Sequence, residues 1–165
     1  PSTGWRTMDN LRNIFARNCE VRRIDSATAS AFMATHHRLG DCRCRYRYGL
    51  FVRRSTGGRE ESLAPGTLVA AATFSNARRW VKADRTVSSY EWIRYASLEG
   101  IRVVGGMGKL LKAFIEDVQP DDVMSYADPG SVDEGAAYEK LGFSYEGIVE
   151  KPNFTCRKFR LKLYL

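Results

Sequence analysis

The chain lacks any apolar run that approaches the roughly 18 residues needed to cross a bilayer. Its composition, 44% hydrophobic and 27% charged over 165 residues, is typical of a soluble globular protein with no membrane partner. It also lacks an initial Met and the basic-then-apolar layout of a signal peptide. These absences favour a trimmed or fused segment over a targeted one, and a cytoplasmic location.

Cysteine and histidine are scarce. The four cysteines are scattered, and one residue separates Cys42 from Cys44 where zinc sites usually have two to four. The two histidines, His36 and His37, are adjacent and would point about 100 degrees apart on a helix. We therefore expect reduced thiols and no metal site. No Ser-His-Asp order or nucleophile elbow is visible, which favours direct transfer chemistry over a covalent enzyme intermediate.

Basic residues outnumber acidic ones, 26 to 19, giving a net charge of +7. The length fits one domain by the usual prior of about 100–200 residues per domain. The positive excess attracts phosphate-rich partners, either a nucleotide-type cofactor or nucleic acid. A solvated basic surface that serves only solubility is the alternative interpretation.

Hydrophobic spacing predicts a series of helices and strands. In the first half we expect an amphipathic helix over 5–18, a strand over 19–24, a helix over 27–36 capped by Asp25 or Ser26, and strands over 43–53, 67–75 and 90–96. Residues 55–65 and the basic stretch 76–89 are predicted to be loops. In the second half we expect helices over 110–118 and 136–141 and strands over 121–128, 143–150 and 157–165.

Glycines concentrate where a predicted strand ends and a helix begins. They let successive backbone N–H groups approach an anion, and the helix N-terminus adds partial positive charge. A purely structural turn is the alternative, because turns collect glycine for steric reasons and no Walker-type Lys-Ser or Lys-Thr pair follows. The cluster predicts a phosphate-binding loop made of Val103, Val104, Gly105, Gly106, Met107, Gly108 and Lys109.

Three stretches together resemble the GNAT superfamily of N-acetyltransferases: GMGKLL at 106–111, SYAD at 125–128 and AYEKLGF at 137–143. The resemblance implies an α/β (α+β) fold with a mixed, mostly antiparallel twisted sheet of about six to seven strands flanked by helices. This domain would span residues 19–165, behind a helical extension at 1–18. The resemblance also implies an N-acyltransferase that moves an acyl group from acetyl-CoA, or another acyl-CoA, to an amine acceptor.

One position departs from the family pattern. The Arg or Gln that usually lies three residues before Gly106 is Val103 here, and Arg102 lies one residue earlier. Within the superfamily, the segments EWIRY at 91–95, VVGG at 103–106 and YEKLGF at 138–143 look closest to a phage-associated branch, which is distantly similar to Mom-type proteins that modify adenine in DNA. That likeness would match His37 to a histidine near the end of the branch's first helix.

Acyl transfer to an amine needs a base for the nucleophile and an acid for the departing thiolate. The resemblance implies that Tyr138 is the acid, that Glu91 is the base, and that Asp128 could serve instead at the end of the next strand. His37 is a further candidate proton carrier. Packing beside Leu141 is the alternative role for Tyr138, and exposed positions are the alternative for both carboxylates.

Two further expectations concern arginines. Arg94 is expected to share a strand face with Tyr90 and Trp92 and, if buried, needs an acidic partner such as Asp128. The second function hypothesis is a nucleic-acid-binding or DNA-base-modifying protein of Mom-like type, in which a strand face carries Arg45 and Arg47 toward phosphates. The wider set of basic and aromatic residues behind it is Arg43, Arg53, Arg54, Arg78, Arg79, Lys82, Arg85, Tyr46, Tyr48 and Trp80. The acceptor and the oligomeric state are not readable from the sequence.

Overall fold

The computed structural model describes residues 12–54 and 63–164. These residues form ten strands, three α-helices and a short 3-10 helix at Ala16–Asn18. None of the described helices is long and apolar enough to cross a membrane. The elements are β1 (Arg12–Phe15), β2 (Cys19–Arg23), α1 (Ser26–His36), β3 (Tyr46–Val52), β4 (Leu68–Phe74), β5 (Arg78–Lys82), β6 (Arg85–Ser97), β7 (Ile101–Val104), α2 (Gly106–Val118), β8 (Asp122–Ala127), α3 (Val132–Lys140), β9 (Ser144–Lys151) and β10 (Phe154–Lys162).

Eight strands form the main sheet in the order β2-β3-β4-β6-β8-β10-β9, with β5 paired to β6 beside this path. All neighbours are antiparallel except β6 and β8, which run parallel. The predicted mixed, mostly antiparallel fold is confirmed, with eight strands instead of six or seven. A separate parallel pair joins β1 to β7.

Strand β6 contains a bulge at the centre of the sheet. Thr73 pairs with Arg94 and Phe74 pairs with Trp92, so Ile93 is the extra residue. The parallel pairing with β8 ends at Glu91 and Met124, although both strands continue. Beyond that point the backbone pairing is not continued, and Ile93, Arg94 and Tyr95 of β6 line a cleft together with Tyr126 of β8.

The two faces of the sheet are covered by different helices. On one face, Phe114 of α2 stacks on Phe74 with ring centroids 3.9 Å apart, and Trp92 stacks on Phe74 in turn. On the other face, Phe32 and Met33 of α1 pack on small side chains of β4 and β6. Truncating one of these buried aromatics would cost about 3–5 kcal/mol, so the core fixes β6, which forms one wall of the cleft.

The predicted helix over 5–18 is wrong where the structure describes it. Residues 12–15 form β1 and residues 16–18 a 3-10 helix, while residues 5–11 lie outside the described part of the chain. The parallel pairing of β1 with β7 and the burial of Ile14 and Ala16 override the helical spacing of the apolar residues.

The predicted loop over 76–89 is also wrong, because β5 and the start of β6 form a hairpin there. Its turn places Ala83 and Asp84 at positive φ values of 50 and 64 degrees, as a two-residue hairpin turn requires. The other predicted loop, over 55–65, falls mostly on residues 55–62, which lie outside the described part of the chain.

Candidate functional site

The glycine cluster forms the junction between β7 and α2, as predicted. Gly105 has a left-handed backbone, with φ at +80 degrees, and offers no side chain to cap the helix. The backbone N–H of Lys109 donates to the carbonyl of Gly105, 3.0 Å away. The N–H groups of residues 106–108 precede it and have no helical carbonyl to bond. They form a donor set at the edge of a cavity of about 470 Å³ that Gly105, Gly106 and Gly108 line.

The side chain of Val103 packs in the protein core, and the residue also borders the cavity. Val103 is only 7% exposed, whereas its neighbours Arg102 and Val104 lie on the exposed face of β7. A Cβ added at Gly106 would lie 3.0 Å from Val103 Cβ and 2.9 Å from Tyr95 Oη. Val103 therefore packs against the loop at Gly106, while Arg102 is the cation of β7 that lines the cavity.

Lys109 is directed at the N-terminal segment. Its ammonium group donates to the backbone carbonyls of Ala16 at 2.9 Å and Cys19 at 2.5 Å. Burial, followed by the charge of Arg53, lowers the pKa of Lys109. Lys109 is not among the residues that line the cavity, so its side chain does not reach the place expected for it by the loop prediction.

A second cavity of about 280 Å³ adjoins the first. The two share Tyr95, Met107, Asp133 and Ala137 as lining residues, so they form one continuous cleft. The second cavity is further lined by His37, Arg38, Leu39, Ile93, Arg94, Tyr126, Glu134 and Tyr138. Ile93 and Arg94 of β6 and Tyr126 of β8 line the same cavity, next to the point where the pairing of the two strands ends.

Tyr138 lies at the second cavity and is also packed. Its hydroxyl is hydrogen-bonded to Ser125 Oγ at 2.7 Å, and Ser125 Oγ donates to the carbonyl of Trp92 at 3.0 Å. Its ring packs against Trp92, Phe143 and Phe159. Burial raises the pKa of Tyr138 to about 12, so the phenol is neutral at physiological pH. The packing role and a role in the cleft are compatible.

His37 lies at the C-terminal end of α1 and lines the second cavity. The backbone N–H of Leu39 donates to its Nδ1 at 3.0 Å. Burial, followed by the charge of Arg94, lowers its pKa. The ring is therefore neutral near pH 7, with its proton on Nε2, and it offers a donor to the cleft.

Glu91 and Asp128 both lie outside the cavity lining. Burial raises the pKa of Glu91 despite three surrounding cations, and its charge in turn helps to raise the pKa of Tyr126, which does line the cavity. Asp128 is exposed in the turn after β8, where its Oδ1 accepts from Gly130 N at 2.7 Å. Glu91 is thus adjacent to the cleft, and the carboxylate of Asp128 is committed to a turn.

The expected pairing of Arg94 with Asp128 is wrong. Arg94 donates instead to the carbonyls of Gly40 at 3.2 Å and Ile93 at 3.1 Å. The bulge at Ile93 breaks the alternation that placed Arg94 on the face of Tyr90 and Trp92. Backbone carbonyl oxygens thus accept the hydrogen bonds of Arg94 Nε and Nη1 in place of a carboxylate.

Glu134 was missed from the sequence and lines the cleft. It accepts from the backbone N–H of Asp128 at 2.8 Å and from Arg38 at 3.1 Å, which ties α3 to both flanking segments. Its own N–H donates to Ser131 Oγ at 3.3 Å. The Ser-x-x-Glu capping pattern of residues 131–134 could have indicated its place in the first turn of α3.

The basic residues of the second hypothesis lie away from the cleft. Tyr46 and Tyr48 contact the ring of Phe114, and between them Arg47 donates to the carbonyl of Cys44. Four more basic residues are exposed on the β5–β6 hairpin: Arg78, Arg79, Lys82 and Arg85. Within residues 12–54 and 63–164, no group of three potential metal-ligating side chains occurs.

No protein-family model matches the chain, and no curated protein matches it. Solved structures do match in fold. They include the NatC complex bound to Gag peptide and CoA, with a TM-score of 0.62 and 14% identity over 88% of this chain and 99% of that chain. Another is the ribosomal-protein-S18-alanine N-acetyltransferase from Escherichia coli, with a TM-score of 0.58 and 12% identity over 89% and 95%. A third is a GNAT family acetyltransferase from Elizabethkingia anophelis with acetyl-CoA bound, with a TM-score of 0.55 and 12% identity over 88% and 99%. The chain thus has the GNAT acetyltransferase fold.

Proposed function

We propose that this protein is an acyl-CoA-dependent N-acyltransferase that uses acetyl-CoA or another acyl-CoA and an amine acceptor. The observation that carries the proposal is the continuous cleft between β6 and β8. One end of it meets the open N-terminus of α2, and the other end meets the neutral phenol of Tyr138. The neighbours bound to CoA, acetyl-CoA and a peptide support this choice of donor and acceptor class.

The residues of the first cavity fit the chemistry of CoA. The N–H groups of residues 106–108 suit its pyrophosphate, and Arg102 and Lys140 add positive charge to the same lining. Ala136 and Leu141 give the neighbouring wall an apolar surface for the uncharged arm of the cofactor. An acyl thioester bound there would supply an acyl group already activated toward an amine.

Residues of the chain itself would transfer the protons and orient the acceptor. Tyr138 holds a proton at Oη, which it donates to Ser125 Oγ when Ser125 donates to Trp92, and this proton must turn away from Ser125 to pass to a group in the cleft. His37 donates from Nε2 and orients an acceptor. Glu91, whose pKa is raised, suits proton uptake relayed through water. Asp128 has no part in this proposal, because it lies outside the cavity lining, with Oδ1 accepting from Gly130 and Oδ2 3.8 Å from Arg38.

Calorimetric titration with acetyl-CoA and with CoA tests the proposal before any acceptor is known. The wild-type protein is expected to bind both, and Gly106→Asp to bind neither, because it places a carboxylate at the phosphate end. Lys112→Gln is the matched control, since it makes the same change in net charge on an exposed part of the same helix. Wild-type protein that binds neither ligand, or Gly106→Asp that binds as well as Lys112→Gln, would overturn the assignment.

We infer a second candidate function from the β5–β6 hairpin: a nucleic-acid-binding or DNA-base-modifying protein of the same fold, similar to the Mom-type branch. The four exposed basic residues of the hairpin, with the indole of Trp80 between them, support it. Nucleic-acid binding that weakens steeply with salt, in a protein that does not bind CoA, would favour this candidate. Binding of CoA without binding of single- or double-stranded DNA would eliminate it.

A further inference from the structure

One face of the main sheet carries an excess of positive charge beside the second cavity. It is formed by the side chains of β5, β8, β9 and β10 that point away from α2 and α3. Tyr138 of α3 packs on Phe159 at the opposite face, whereas α1 packs on β4 and β6. The cations of this basic face are Arg78, Lys82, Lys151, Lys158, Arg160 and Lys162.

Contacts among these side chains place the basic face next to the cleft. Arg160 lies over the indole of Trp80, 6.0 Å from the ring centroid, and Lys151 lies over the ring of Tyr126 at 5.5 Å. In the sheet register Lys158 pairs with Tyr126, and paired residues share a face. Because Tyr126 lines the second cavity, the basic face begins at the end of the cleft where the acceptor-side groups lie.

Only part of this charge is neutralised inside the chain. Arg160 pairs with Asp122 and with Glu146, both at 2.9 Å, and Lys158 lies 3.8 Å from Glu146. The other cations of the basic face form no ion pair with a carboxylate of residues 12–54 or 63–164: Arg78, Lys82, Lys151 and Lys162. Their uncompensated charge attracts an anionic partner.

Lys82 and Lys162 form a close pair of like charges at the far end of the basic face. The β5–β6 hairpin brings Lys82 near enough to hydrogen-bond to Lys162, and this contact and the charge of Lys82 lower the pKa of Lys162. A carboxylate bound between the two ammonium groups would offset their repulsion. Lys162 lies four residues beyond Lys158, which is about 13 Å along β10.

We propose that the basic face binds an acidic polypeptide and that an amine of this polypeptide is the acyl acceptor. This inference rests on the proposed function. A peptide that lies along β10 in extended form spans the distance from the cavity to the Lys82–Lys162 pair with about four residues. Its carboxylates would then lie at this pair and at Lys151, while its amine enters the second cavity.

The surroundings of the cations favour a polypeptide over a nucleic acid. Trp80 lies under Arg160 and Tyr126 under Lys151, so a cation already covers one side of each ring that could stack on a base. Glu91, whose charge acts on Tyr126, would repel a phosphate but attracts the ammonium form of an amine. Polypeptide amines are also stronger nucleophiles than the exocyclic amines of bases, whose lone pair is delocalised into the ring.

Two fluorescent peptides that differ only in charge test the proposal. Both carry a free N-terminus and one lysine, flanked by glutamates in one peptide and by glutamines in the other. By fluorescence anisotropy, the wild-type chain should bind the glutamate peptide about tenfold more tightly, and this preference should shrink as salt rises from about 0.05 to about 0.5 M. After incubation with acetyl-CoA, mass spectrometry should find the acyl group on an amine of the glutamate peptide.

Variants locate the binding surface. Lys82→Gln with Lys162→Gln should weaken binding of the glutamate peptide about three- to tenfold. Arg22→Gln with Lys112→Gln is the matched control, because it removes the same charge from exposed positions on β2 and α2, and it should cost less than about twofold. Both double variants should bind CoA as wild type does, since none of the four residues lines either cavity.

Equal binding of the two peptides by wild type, equal losses in the two double variants, or a bound glutamate peptide that is not acylated would overturn the proposal. Duplex DNA that binds more tightly than the glutamate peptide, and loses affinity only in Lys82→Gln with Lys162→Gln, would also overturn it and assign the face to nucleic acid. Wild-type protein that binds neither CoA nor acetyl-CoA would instead overturn the proposed function, and with it the role of the peptide as acceptor.

Discussion

Lys109 Nζ lies 2.5 Å from the backbone carbonyl oxygen of Cys19, on the side of α2 away from the cleft. A second bond to Ala16 fastens the 3-10 helix to the start of α2. Just before this segment, β1 pairs with β7, the strand that leads into the glycine loop. The N-terminal segment thus supports the loop from behind, and Lys109 is the residue that joins the two.

Lys109→Met should destabilise the fold and leave the ligand site nearly intact. Loss of two charge-assisted bonds to carbonyls is expected to lower the free energy of unfolding by about 1–3 kcal/mol. Urea unfolding measures this, with exposed Lys112→Met as the control. At a temperature where the variant is folded, its affinity for CoA should change less than twofold. Unchanged stability with a tenfold loss of affinity would show that Lys109 contacts phosphate after all.

Gly106 and Gly108 should tolerate alanine to different extents. A Cβ at Gly106 meets Tyr95 and Val103 at 2.9 and 3.0 Å, whereas a Cβ at Gly108 meets only the flexible end of Leu141 at 3.4 Å. Gly106→Ala is therefore expected to lose thermal stability and CoA affinity together, and Gly108→Ala to keep most of both. Thermal unfolding and titration with CoA of the two variants test this prediction. Equal losses of stability and affinity in Gly106→Ala and Gly108→Ala would contradict the packing argument.

The sequence was most informative where local chemistry decides the structure. Gly105, Pro120 and Gly142 mark element boundaries, and β8 was predicted within one residue at each end, whereas α2 and α3 each begin four residues before the predicted start. The hairpin of β5 was missed because Ala83 and Asp84 adopt positive φ without the Asn-Gly or Asp-Gly pair that normally signals such a turn. Strand β1 was missed because its pairing with β7 joins residues far apart in the chain.

The site could be predicted only in part, and for the same reason. The glycine loop and the position of Tyr138 follow from short motifs. The orientation of Arg94 depends on the bulge at Ile93, and no residue type in β6 predicts this bulge. The direction of the Lys109 side chain depends on Ala16 and Cys19, which lie 93 and 90 residues earlier in the chain. Motifs thus indicate which backbone binds, while tertiary contacts decide where each side chain points.

Val103→Arg, which puts at this position a residue type expected from the GNAT resemblance, should destabilise this protein. Because the Val103 side chain is buried in the core, Val103→Arg would bury an unpaired charge and is expected to cost several kcal/mol of stability. Arg102→Ala removes the exposed cation that lines the cavity, and should weaken CoA binding severalfold without unfolding the protein. Circular dichroism and titration test both, with Arg22→Ala on β2 as the control. A folded Val103→Arg variant with tighter CoA binding would refute this account of β7.

Tyr138→Phe should lower turnover far more than CoA affinity, because only the hydroxyl can donate a proton. Thiol release from acetyl-CoA, with an acceptor found by screening, measures turnover, and equal rates in both proteins would assign Tyr138 to packing alone.

The raised pKa of Tyr138 also predicts that wild type and Tyr138→Phe differ in how their stability depends on pH. The folded value is about 12 and the unfolded one about 10, so the contribution is complete below pH 10 and is lost as pH rises through 12. Tyr138→Phe should not show this loss of folding stability at high pH.

His37 should be neutral near pH 7, with its proton on Nε2. Its pKa is lowered from the ordinary value of about 6.5, so the unfolded chain takes up the proton first. The stabilising contribution is therefore present above pH 6.5 and is lost as pH falls toward the folded pKa. Long-range ¹⁵N spectra should show the Nε2–H tautomer, because Leu39 N–H occupies Nδ1. His37→Gln should lose less stability than wild type between pH 7 and 5, and a wild-type titration midpoint at or above 6.5 would contradict the burial argument.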